Sequence, residues 1–176
     1  MKLKILLLSF FITTALFADS PRLLNQKAPS FEVKEWIQSY KDDLDIDDLK
    51  GKVVYIATFQ DVCPYCHEHG LPSLKELHEY YKDDKDVQFL AIQTPFEDED
   101  GNDESTAKSV IKEYALTMPV GNSKRDQYDR PIFMDNYRTG GTPWVIIIDK
   151  KGIIRYSSLW LHEDLTMVMI DKLKEE

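Results

Sequence analysis

The sequence predicts an α/β sandwich in which helices flank a central mixed β-sheet. Three observations carry that prediction. Val53 to Phe59 and Val87 to Ile92 are apolar, β-branched and aromatic runs without polar alternation, as strands buried on both faces should be. A helical pattern follows each, first through Leu71, Leu74, Leu77, His78 and Tyr81, then over Ser105 to Tyr114. The chain closes with two strands joined by a turn and a last helix. At 176 residues, with 43% apolar and 30% charged side chains, it is long enough for one domain with a real core.

In chain order, Met1-Lys2-Leu3-Lys4 is basic and Ile5 to Phe17 is almost unbroken hydrophobe before Ala18-Asp19. That is the layout of a secretory signal peptide cut after Ala18, which divides the chain into a signal at 1–18 and a domain at 19–176. An apolar run of this length reaches only about 20 Å along a helix, short of a ~30 Å hydrocarbon core. Leu16, at the −3 position, is larger than a signal peptidase prefers, so an uncleaved anchor is the alternative. Asp19 to Phe31 reads as an extended lead-in, and Tyr40 to Lys50 as a polar, acidic stretch ending at the turn residue Gly51. Glu97 to Glu104 is an acidic loop, with Ser105 a candidate N-cap for the helix after it. Trp144 to Ile148 and Ile153 to Tyr156 are strands joined by Asp149-Lys150-Lys151-Gly152, and Glu163 to Lys174 is the last helix. No repeat or linker interrupts the domain.

The net charge is −9, and loss of Lys2 and Lys4 with the leader takes it to −11. An acidic protein without a basic stripe repels phosphate backbones and anionic lipid, so nucleic acid is excluded as a partner. Only two cysteines occur, in Cys63-Pro64-Tyr65-Cys66. A loop that small cannot brace a domain, so their purpose is chemical. Pro64 suits a helix's first turn, which places Cys63 at the helix N-terminus, where free N–H groups and the dipole favour a thiolate. Cys66 lies one turn on, within adjustment of a disulfide. Cys63 is therefore the expected attacker, and Cys66, more buried, resolves the mixed disulfide.

Other chemistries share these residues. Cys63-Pro64-Tyr65-Cys66-His67 is also the attachment motif for c-type haem, an electron-transfer alternative. A buried strand ending three residues before Cys63, inside an α/β pattern, argues against it. The acidic loop fails the calcium spacing, since from Asp98 the glycine position holds Asp103 and the closing Glu position holds Ser109. His67-Glu68-His69 points its side chains in different directions on a helix, so no metal site is expected. No cofactor is called for.

Gln26-Lys27-Ala28-Pro29-Ser30-Phe31, Leu49-Lys50-Gly51-Lys52-Val53-Val54 and Gly140-Gly141-Thr142-Pro143-Trp144, continuing to Gly152, join the C-x-x-C segment in one resemblance. Over residues 25–160 the chain resembles the TlpA/ResA-like branch of the thioredoxin superfamily. That resemblance implies a thioredoxin-like fold and an exported, periplasmic thiol–disulfide oxidoreductase that acts on protein disulfides, with a role in cytochrome c maturation. It also implies an upstream thiol–disulfide partner and a monomer. The family's cis-proline maps onto Pro143, facing the cysteines and leaving Thr142 to pair with an extended substrate segment.

The chain departs from the family pattern where Val62 replaces the usual Trp before the first cysteine. Ala57 stands where thioredoxins place a buried acid, and His69 (or Gly70, if a residue is inserted before Pro72) where the redoxin branch places Glu. His67, Glu68 and His69 are therefore the candidates for proton transfer with Cys66. The peroxiredoxin T-x-x-C needs threonine where this chain has Gln60. The direction of exchange stays open between reductase, the primary expectation, and oxidase or isomerase.

Overall fold

The computed structural model describes residues 23–96 and 104–176. Residues 1–22, which include the expected signal peptide, and residues 97–103 of the acidic loop lie outside the described residues. Six strands form one mixed sheet in the order β1-β4-β3-β2-β5-β6. β2 (Val53–Phe59) is its middle, buried at every residue, parallel to β3 (Val87–Gln93) and antiparallel to β5 (Trp144–Ile148). β6 (Ile154–Leu159) extends the sheet beside β5. On the other side β4 (Val120–Ser123) runs parallel to β3, and β1 (Val33–Gln38) closes the edge antiparallel to β4.

The missing polar alternation in β2 follows from this placement. Tyr55, Ala57 and Phe59 point into one core with Leu71, Leu74, Phe89 and Ile170, while Val54 and Ile56 point into a second with Phe31, Leu90, Phe133 and Ile146. Helices α1 (Leu71–Tyr81), α2 (Glu104–Tyr114) and α4 (Glu163–Lys174) cover the first face. The short α3 (Ile132–Tyr137) and the N-terminal segment cover the second. Among the described residues no helix is long and apolar enough to cross a membrane.

Five elements differ from the sequence expectation. β1, β4 and α3 were not expected, and residues 40–50 contain a 3-10 turn (Ile46–Leu49) capped by Asp45 and Asp48. α2 already includes Glu104, so Ser105 sits within its first turn rather than capping it.

The expected turn between β5 and β6 is held by Asp149. Its carboxylate accepts from the N–H groups of Lys151 and Ile153, each at 2.9 Å, and from Arg155 at 3.0 Å. Burial pushes this carboxyl up, but the Ile153 N–H, the Arg155 guanidinium and the Lys151 N–H outweigh it and hold it below the usual range. Asp149→Ala is expected to cost about 2–3 kcal/mol in urea unfolding at neutral pH. A depressed folded pKa stabilises above the unfolded value and is lost as pH falls through the folded one, so the gap should close as pH falls below the ordinary carboxylate range. A gap that widened in acid would contradict the assignment.

Candidate active site

β2 delivers the chain to a tight turn at Gln60–Val62, where the N–H of Cys63 donates to the Gln60 carbonyl at 3.3 Å. The helix starts at Pro64, as the first-turn preference of proline requires, and Cys63 lies just before it. The Cys66 N–H donates to the Cys63 sulfur at 3.1 Å, the contact that a thiolate at a helix start uses. Cys63 is 7% exposed and Cys66 fully buried. Burial first, and the hydrogen bond to Cys63 second, push the Cys66 thiol up to about 12.

Cys66–Gly70 forms a single π-helical turn, in which the Leu71 N–H reaches back to the Cys66 carbonyl. A π-helical turn holds one residue more than an α-helical one, and this one lies just ahead of Pro72. Pro72 has no N–H to give the regular ladder and its ring crowds the preceding turn, so a widened turn ahead of it relieves both problems. The consequence is placement: Gly70, buried, comes against Pro143. A Cβ on Gly70 would stand 2.6 Å from Pro143 Cβ.

The Thr142–Pro143 bond is cis. The Thr142 carbonyl faces the Cys63 thiol, 3.6 Å from its sulfur, and the Thr142 hydroxyl accepts from Gln60 Nε2 at 3.3 Å. The structure thus brings Cys63, Cys66, Thr142 and Pro143 together, although β3, β4 and three helices intervene in sequence. Gln60 was missed as a site residue. Fully buried, it ties Thr142 to the backbone of Phe96 through both ends of its amide. Nothing local marks a glutamine for such a role, since both partners are distant in the chain.

The three proton-transfer candidates separate. Glu68 is exposed and His69 packs against Tyr65 and Trp160 at the rim. His67 is the enclosed one, with Nε2 2.6 Å from the Asp61 carbonyl and Nδ1 2.9 Å from the Tyr114 hydroxyl. Ala57 lies in the same core cluster as both cysteines, so no carboxylate enters from β2. The residues do not fit covalent haem, because both sulfurs are buried and both ring nitrogens of His67 are engaged.

Residues 24–157 match the model of the AhpC/TSA family. A thioredoxin-like superfamily protein of known structure is 33% identical over 85% of this chain and 97% of its own, with a TM-score of 0.80. A thiol-disulfide isomerase from Corynebacterium glutamicum is 31% identical over the same shares, with a TM-score of 0.76. A thiol:disulfide interchange protein from Chlorobium tepidum shares the fold at 17% identity, covering 85% of this chain and 96% of its own, with a TM-score of 0.65. No curated protein sequence matches the chain.

Proposed function

Because the chain belongs to the AhpC/TSA family and is an oxidoreductase of thioredoxin-like fold, we propose that it exchanges the Cys63–Cys66 pair with protein disulfides as an exported reductase. The carrying observation is the Cys63 sulfur, set between the Cys66 N–H and the Thr142 carbonyl. Cys63 attacks a substrate disulfide, releasing one substrate thiolate and forming a mixed disulfide. Cys66 then attacks Cys63, the second substrate sulfur leaves, and two electrons have passed to the substrate. An upstream dithiol partner restores the pair. Thr142 and Pro143 shape the groove beside Cys63. Exposed Val62, Tyr65 and Phe96 around it supply apolar contact suited to a protein segment rather than a small thiol. Lys2, Lys4 and the run Ile5 to Phe17 support export, and the protein acts as a monomer.

The colourless protein is expected to reduce insulin in the presence of dithiothreitol and to have a potential nearer the thioredoxin value of about −270 mV than about −120 mV. A value at the oxidising end would overturn the reductase direction, and absence of insulin reduction would overturn the exchange itself. Isomerase activity is the second reading, favoured by the Corynebacterium glutamicum relative. It would appear as recovery of scrambled ribonuclease in a glutathione buffer. Gln60 in place of threonine argues against peroxide as substrate.

A further inference from the structure

We propose that Tyr114 and His67 together form the proton acceptor for Cys66, with the Tyr114 hydroxyl as the carrier and His67 Nδ1 as the store. The inference rests on the exchange chemistry proposed above and adds a residue of α2 to it. The Asp61 carbonyl can only accept, so His67 Nε2, 2.6 Å away, carries hydrogen. In the neutral ring this leaves Nδ1 as an acceptor facing the Tyr114 hydroxyl at 2.9 Å. That hydroxyl has a second acceptor, the His67 backbone carbonyl, at 3.2 Å. Besides the Glu113 carboxylate next to it on α2, the hydroxyl proton thus has these two places to go. With His67 neutral it donates to Nδ1; once Nδ1 is protonated, the ring donates to the tyrosine oxygen and the hydroxyl turns to the carbonyl. Both proton states of His67 are fully hydrogen-bonded, and only a hydroxyl rotation separates them.

Tyr114 packs against the core cluster containing Cys66, and burial first, then the Glu113 carboxylate and last a charge on Cys66 push its hydroxyl up. The need for such a group is plain, since burial keeps Cys66 a thiol at neutral pH and β2 offers Ala57 instead of an acid. In the resolving step the Cys66 proton passes, directly or through one water, to the Tyr114 oxygen as the tyrosine proton moves to Nδ1. The Cys66 sulfur bonds to Cys63, and the substrate sulfur leaves with the electron pair. The ionisable groups around this relay are Asp61 from the site turn, Glu113 beside Tyr114 on α2, Cys63 just before the site helix, and Cys66 and Glu68 on it.

Dithiobis-nitrobenzoate (DTNB) reads both steps in one trace, because attack by Cys63 releases one coloured thiolate and resolution by Cys66 releases the second. Tyr114→Phe and His67→Gln are expected to slow the second release about 10²-fold at neutral pH, the usual contribution of a positioned base, and to leave the first unchanged. In both variants the second release should then rise about tenfold per pH unit, as hydroxide becomes the base. An unchanged second release, or equal slowing of both, would overturn the proposal; equal slowing would mean that His67 only clamps the site turn. The tautomer is checked on the unaltered protein by nitrogen NMR of the imidazole. Hydrogen on Nε2 of the neutral ring is expected, and hydrogen on Nδ1 would overturn the relay without any variant. Absence of the first release would instead defeat the exchange reading.

Discussion

Cys66→Ser is expected to leave the protein joined to its substrate through Cys63, and Cys63→Ser to lower exchange by about 10³-fold or more. The asymmetry comes from the two sulfur environments. Cys63 borders the surface at the start of a helix and accepts the Cys66 N–H, so charge on its sulfur is hydrogen-bonded. Cys66 has no exposure, and burial pushes its thiol up to about 12, so it stays protonated at neutral pH. It cannot substitute as the first attacker. It is competent only after Cys63 has brought a disulfide to it, when the reaction is intramolecular. Mass spectrometry of the two variants after incubation with oxidised insulin checks this. Adducts should accumulate on Cys66→Ser and be absent from Cys63→Ser. Adducts through Cys66 in the Cys63→Ser protein would reverse the roles.

Much of this was legible in the chain, for reasons that are local. β2, β3 and β5 announce themselves because both of their faces are buried, and α4 because its apolar spacing is regular. The C-x-x-C at a strand–helix junction is equally local. β4, Val120-Gly121-Asn122-Ser123, hides because it breaks strand propensity. Gly121 is there because Trp36 and Val33 of β1 lie over it, with ring and methyl carbons 2.9 Å from where a Cβ would be. That packing is tertiary and leaves no trace in a short window. α3 hides for its brevity, starting after Pro131 and ending at Arg138 in a left-handed conformation. The proton acceptor was narrowed to His67, Glu68 and His69 by proximity alone. Telling them apart needed the π-helical turn and the approach of Tyr114 from α2, neither of which spacing reveals.

Gly70→Ala is expected to destabilise the fold and to lower exchange at least tenfold, against the usual effect of that substitution. In a helix, alanine is better than glycine by about 1 kcal/mol. Gly70 has ordinary helical angles (φ −62, ψ −49), so nothing in the backbone requires glycine. The opposing effect is steric. The new methyl would sit 2.6 Å from Pro143 Cβ and 3.2 Å from its Cγ, and a proline ring cannot turn aside as a flexible side chain would. Overpacking of this kind costs about 1–3 kcal/mol, so the expected net is a loss of about 1 kcal/mol and a few degrees in Tm. Function should suffer more than stability. Relief comes by moving the Thr142–Pro143 segment away from the helix, and the same movement lengthens the contact between Cys63 and the Thr142 carbonyl and that between Gln60 and the Thr142 hydroxyl. Thermal unfolding beside the DTNB trace separates the two effects. A higher Tm with unchanged exchange would mean that helix propensity wins and that the apposition of Gly70 and Pro143 does not set the groove.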